Sequence, residues 1–161
     1  MHPELRLRRA VRAVILDPAD RVLLVRFEFP ESGVHWALPG GGLEADETHE
    51  VALRRELTEE VGLRDASIGA HIWTRLHILS LFGGRFDGQH EHIHLVRTPE
   101  FDPAPALTWE QLNAECVYEI RWWTLEEITT SDERFVPSAL GHHLRSILID
   151  GAPIAPVDIE A

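Results

Sequence analysis

The sequence predicts an α/β fold with a mixed, partly antiparallel sheet. Short runs rich in Val, Ile, Leu and aromatic residues are interleaved with helical patterns and show no internal repeat. The first two runs are separated by a few turn residues, the signal of an antiparallel hairpin. A third run leads through consecutive glycines into the strongest helical pattern of the chain. With 161 residues, 44% of them hydrophobic, the chain is long enough to build one core. We read one domain over residues 1–151 and a loose, proline-bearing tail over 152–161.

Leu5 to Asp17 reads as a partly buried strand, Pro18-Ala19-Asp20 as a turn, and Arg21 to Phe29 as the second arm of the hairpin. Trp36-Ala37-Leu38 is a third short strand ended by Pro39. After Gly40-Gly41-Gly42, a helix is predicted over about Thr48 to Val61, with Asp46 or Thr48 as N-cap and Gly62 as terminator. Ser67 to Phe82 and His92 to Thr98 are strands, Pro99 to Pro105 is a loop, and Val117 to Trp123 is a strand entering a short helix at Leu125 to Ile128. The Trp122-Trp123 pair should send one ring to each side of its strand. Pro137 should open a final helix over Ser138 to Ile149, with Leu140, Leu144, Ile147 and Leu148 on its packing face.

Charge narrows the chemistry. Fifteen basic and 27 acidic residues leave a net charge of −12, which opposes nonspecific binding to nucleic acid or to an anionic membrane surface. Every basic residue is arginine, so lysine chemistry is excluded, and catalysis must use carboxylates, histidines or metal. The single cysteine, Cys116, has no internal disulfide partner, and no apolar run approaches the roughly 18 residues of a membrane span. These features place the chain in the cytoplasm.

At 100° per residue, Glu56, Glu59 and Glu60 share one arc of the main helix beside an apolar stripe of Leu53, Leu57 and Val61. Taken alone, three glutamates are an ordinary solvated helix face. The like-charged Glu56 and Glu60 at i, i+4 nevertheless cost roughly a few tenths of a kcal/mol unless a cation lies between them. Carboxylate donors select hard cations, Mg²⁺ or Mn²⁺. Arg55, one turn before Glu59, can fix a carboxylate rotamer.

From Gly41 the chain reads GGLEADETHEVALRRELTEEVGL, preceded by Trp36-Ala37-Leu38-Pro39-Gly40. This resembles the Nudix hydrolase box at each of its defining positions. The resemblance implies an α/β/α sandwich that hydrolyses a nucleoside diphosphate linked to another group, using divalent cations. Carried over, Glu56, Glu59 and Glu60 would be metal ligands, with the Gly40 carbonyl as a further one. Arg55 would orient them, and Gly41 and Glu47 would shape the loop. The resemblance leaves the general base open, since such enzymes draw it from the box or from a later loop or strand; Glu59 is the candidate within the box.

Outside the box, strand alternation sets Glu91 with Ile93 and Leu95 on one side and His90, His92 and His94 on the other. A glutamate on an apolar side is unusual, and we expect Glu91 to serve as an additional ligand or base. The three histidines could form a zinc row, but no cysteine or carboxylate partner shares their face, so solvent-facing or substrate-contacting roles are preferred. Phe29, Trp73 and Phe86 could stack a base, and Arg26, Arg75 and Arg97 could hold phosphate, against the commoner roles of core packing and surface pairing.

Where relatives acting on ADP-ribose carry a proline, or those acting on diadenosine polyphosphates a tyrosine, this chain holds Leu79, Ser80 and Leu81. The expected substrate is therefore a nucleoside triphosphate or related nucleotide. A catalytically silent nucleotide-binding module and a hydrolase of a non-nucleotide diphosphate are the alternatives. A homodimer is left open, since the N-terminal strand and the tryptophans could serve either an interface or the core.

Overall fold

A computed structural model describes residues 4–160. β1 (Leu7–Leu16) is the central strand, and its alternation supplies both faces of the sheet. Val11, Ala13 and Ile15 enter one core, and Val14 and Leu16 enter the other. β2 (Val22–Phe29) pairs antiparallel with β1, as the hairpin signal predicts, and β3 (Gly33–Ala37) pairs with β2.

Gly40–Gly42 is itself a short strand, β4, antiparallel to β1 in the register Arg12↔Gly40, Val11↔Gly41 and Ala10↔Gly42. The expected glycine loop is thus locked to the sheet by backbone hydrogen bonding, which carries no side-chain signature. α1 (His49–Val61) follows. Thr48, not Asp46, is its N-cap, with Thr48 Oγ1 accepting from Val51 N at 3.2 Å, and Gly62 closes it at φ 74°.

β5 (Ile68–Leu81) and β6 (Phe86–Arg97) form a long hairpin, and β6 begins six residues before the strand expected at His92. β6 lies parallel to β1 with Arg12↔Ile93 and Ala10↔Glu91 in register. The capping box of Thr108 and Gln111 starts α2 (Trp109–Ala114), a helix not foreseen. β7 (Val117–Trp123) pairs with β2 and leads through the Thr124–Glu127 capping box into α3 (Leu125–Thr130).

β8 (Phe135–Val136) adds to β3, and α4 (Leu140–Asp150) begins at Leu140, two residues later than the expected Ser138. The tail expected to be loose instead contains β9 (Val157–Ile159), parallel to β5, with Ile159 buried in the core. The apolar side chain of Ile159 and the free edge of β5 outweigh the flanking prolines.

The seven-strand path β8-β3-β2-β1-β6-β5-β9, with β4 on β1 and β7 on β2, is a mixed sheet between two helical layers. α1 and α2 cover one face through Leu53, Leu57, Val61 and Leu112. α3 and α4 cover the other through Ile128, Leu140, Leu144 and Ile147. Trp123 packs in the second core and Trp122 against the first, one ring to each side.

Candidate active site

The position of the site follows from α1 lying against β4. Leu53, Leu57 and Val61 dock α1 on the sheet, and this turns Glu56 and Glu60 toward the glycines. Gly40 N–H donates to Glu60 Oε1 at 3.2 Å, a bond that is buried. Gly40 holds φ +144°, and a Cβ there would lie 2.1 Å from Val11 O, so the close approach of β4 to β1 requires glycine. At Gly41 a Cβ would lie 2.5 Å from Glu56 Oε1. The glycine leaves room for that carboxylate.

Arg55 organises the rest. Its fork grips Glu47 through Nε–Oε2 and Nη2–Oε1, both 2.8 Å, and Nη2 also donates to Gly42 O at 3.1 Å. Nη1 donates to Glu56 Oε1 at 2.9 Å and reaches Glu59 Oε2 only at 3.4 Å. Arg55 therefore ties the loop to the helix more firmly than it holds Glu59. The guanidinium holds Glu47 down at about 2.

Burial, reinforced by Glu56, pushes Glu60 up to about 8, and burial also raises Glu56. Buried Glu60 and part-buried Glu56, side by side on a purely oxygen donor set, fit a hard divalent cation. Among the described residues no three such groups converge on one point; the glutamates are held by Arg55 and by Gly40 N–H. Glu59 is the least engaged of them.

Glu91 does not join this cluster. It is 2% exposed, with Oε1 accepting from Arg75 Nη1 at 2.8 Å and Oε2 accepting from Gln89 Nε2 at 2.9 Å and from Arg12 Nε. Burial opposes its ionisation, yet Arg12 and Arg75 together outweigh burial and hold it at about 2. A carboxylate so acidic, with both oxygens occupied, is a poor proton acceptor and has no oxygen free for a metal, contrary to the role expected from sequence.

The arginines sort by partner. Arg75 is buried in the Glu91 pair, and Arg26 pairs with Glu28 and Glu119. Arg12 and Arg8, not singled out from sequence, stand on the Glu91 side of β1; their signal was a charge at alternate positions of a strand otherwise built for burial. Arg8 lies over the Phe82 ring at 5.0 Å and bonds Gln89 at 2.7 Å. A cavity of about 460 Å³ opens beside it, lined by Arg8, Arg9, Leu43, Glu44, Glu47 and Phe86 among others. Of the aromatics, Phe86 reaches this cavity, Trp73 is core, and Phe29 stacks on Phe27 and His35.

The histidines are half-buried and form more than a simple row. His92 stacks between His49, at 3.8 Å, and His71, at 4.2 Å, and His94 continues the stack from His71 at 5.2 Å. His49 and His71 arrive from α1 and β5, which the spacing within one strand could not reveal.

A family model for the NUDIX domain matches residues 6–141. The chain belongs to the Nudix family. The Nudix match is supported by nucleoside triphosphatase NudI from Enterobacter sp. (strain 638), 36% identical over 60% of this chain and 67% of that protein. RNA pyrophosphohydrolase from Rhodospirillum rubrum is 32% identical over 52% of this chain and 54% of that protein. The second match thus spans about half of the relative. The MutT protein structure from Methanosarcina mazei Go1 shares the fold, with a TM-score of 0.67 at 18% identity, covering 92% of this chain and 100% of that one. Nudix enzymes in general require a divalent metal. No described helix is long and apolar enough to cross a membrane.

Proposed function

We propose that this Nudix chain hydrolyses the phosphoanhydride bond of a nucleoside triphosphate or related nucleotide, using Mg²⁺ or Mn²⁺, and that it does so in the cytoplasm. The observation that carries the reading is the closure of α1 on β4. It sets Glu56 and Glu60 against Gly41 and Gly40 while Arg55 clamps Glu47.

Glu56, Glu59 and Glu60, with the carbonyl of Gly40, would hold the cation. When bound, it supplies neutralisation of phosphate charge and acidification of water. Glu59, 36% exposed and only weakly held by Arg55, takes the proton of the water that attacks phosphorus. Arg55 keeps Glu56 turned to the glycines, and Glu60 fixes the start of β4. Water adds to the α- or β-phosphorus as the bridging P–O bond between them breaks, and for a triphosphate the products are a monophosphate and pyrophosphate.

The names of NudI and RNA pyrophosphohydrolase support a nucleotide substrate. The test is phosphate and pyrophosphate release from nucleoside triphosphates, dinucleotides, nucleotide sugars and isoprenoid diphosphates, with Mg²⁺, Mn²⁺ or chelator. Metal-dependent pyrophosphate release from a triphosphate is expected. Turnover of the isoprenoid compounds alone would replace the nucleotide with another diphosphate. Thermal stabilisation by nucleotides without turnover would mark a silent binding module.

A further inference from the structure

Among the described residues, Arg12 is the one guanidinium that touches both the buried Glu91 and the chain entering the glycine strand. Its Nη1 donates to Leu38 O at 3.0 Å while its Nε donates to Glu91. Leu38 stands two residues before Gly40, and Gly40 is itself the cross-strand partner of Arg12. Ala13 N–H donates to Pro39 O at 3.0 Å, so the carbonyls of Leu38 and Pro39 are both held from β1, one by a side chain and one by backbone.

Glu91 is in turn fixed from two further directions, by Arg75 of β5 and by Gln89 of its own strand. Arg75 is 6% exposed, and its Nε has no partner among the described residues. With that much buried charge, the geometry is set by pairing, not by solvent.

We infer that Glu91 is a positioning residue: through Arg12 it holds Leu38 O and so sets the placement of Gly40 and β4 beneath Glu56 and Glu60. The inference rests on the metal reading proposed above and assigns Glu91 no contact with metal or substrate. The chain of contacts runs Arg75, Glu91, Arg12, Leu38, Gly40, Glu60, and every link but the covalent stretch from Leu38 to Gly40 is a hydrogen bond. Withdrawing the Glu91 charge frees Arg12 to turn toward Glu60 and Glu56, whose charges it already feels. The carbonyl of Leu38 would then lose its donor.

The test measures Mn²⁺ affinity by calorimetry and the pH profile of kcat for the wild type, Glu91→Gln, Arg12→Lys and the double variant, each checked for folding by circular dichroism. Glu91→Gln should weaken Mn²⁺ binding by about 10-fold or more, as partners of metal ligands do, while the apparent pKa of the kcat profile stays where it is. Arg12→Lys keeps the charge but cannot bridge Glu91 and Leu38, so it should weaken Mn²⁺ comparably, and the double variant should be little worse than either single one. If Glu91→Gln does not fold, Arg12→Lys carries the same test.

Wild-type Mn²⁺ affinity in a folded variant would overturn the inference. So would loss of the acidic limb of the kcat profile in Glu91→Gln, which would make Glu91 a base. A wild-type chain that binds no Mn²⁺ would overturn the metal reading and this inference together.

Discussion

Glu60 accepts the backbone N–H of Gly40 at 3.2 Å, joining the last turn of α1 to the first residue of β4 across twenty residues of chain. The bond is buried, so helix and strand cannot separate without exposing a donor and a carboxylate that have no other partner in the core. It explains why two adjacent glycines have different duties. Gly40 answers to the backbone of β1, and Gly41 answers to the side chain of Glu56.

The two glycines should therefore fail differently when each is changed to alanine. Gly40→Ala places a Cβ 2.1 Å from Val11 O at φ +144°, and destabilisation of at least about 2 kcal/mol is expected from strain and displacement. Gly41→Ala meets only the movable end of Glu56, so the melting temperature should change little while kcat falls. Thermal unfolding and turnover of the two variants check this.

Thr48 anchors the helix without touching the glutamates. Thr48→Ala removes the bond to Val51 N–H and should lower stability by about 1 kcal/mol with kcat unchanged. Denaturant midpoints and turnover measured side by side decide it.

The stacked histidines make stability depend on pH. Burial, with the neighbouring imidazoles, lowers His92 to about 4, and burial lowers His49 and His71 as well. The unfolded chain takes up protons at these sites first, so their contribution is complete above about pH 6.5 and is lost as pH falls from there toward 4. Glu60, raised to about 8, acts in the opposite sense, because the folded state holds its proton first. Glu91, held at about 2, stays ionised in the fold, so it adds to the loss only as the pH falls into the ordinary carboxylate range, where the unfolded chain takes up its proton first. The diagnostic is the difference between wild type and His92→Gln: the variant should lose less stability between pH 7 and 5. Parallel pH curves would contradict the stack.

Truncation after Pro156 removes β9 and the buried Ile159. A loss of about 1.5–3 kcal/mol is expected from that side chain, read as a lowered melting temperature.

What could be read from sequence was what lies close along the chain. The α1 pattern, its Thr48 cap and Gly62 stop, the glutamate arc and the alternation of Glu91 against the histidines all depend on neighbours within a turn or a strand. Alternation puts Glu91 on the correct face, but its cations come from β1 and β5, 79 and 16 residues away, and alternation cannot see them. Without those cations a buried glutamate looks like a ligand or a base. β4 escaped because glycine pairing leaves no side-chain pattern, and β9 because three residues between prolines give too short a signal. α2 did leave a trace, the capping residues Thr108 and Gln111, which a search for that spacing finds.

The central claim is that Glu59 takes a proton from water during metal-dependent hydrolysis. It is tested most directly by pyrophosphate release from a nucleoside triphosphate with saturating Mg²⁺ or Mn²⁺, comparing wild type with Glu59→Gln. The account predicts turnover that chelator abolishes and a loss of about 10²–10⁴-fold in the variant, with its melting temperature unchanged. Near-wild-type turnover by Glu59→Gln would contradict it.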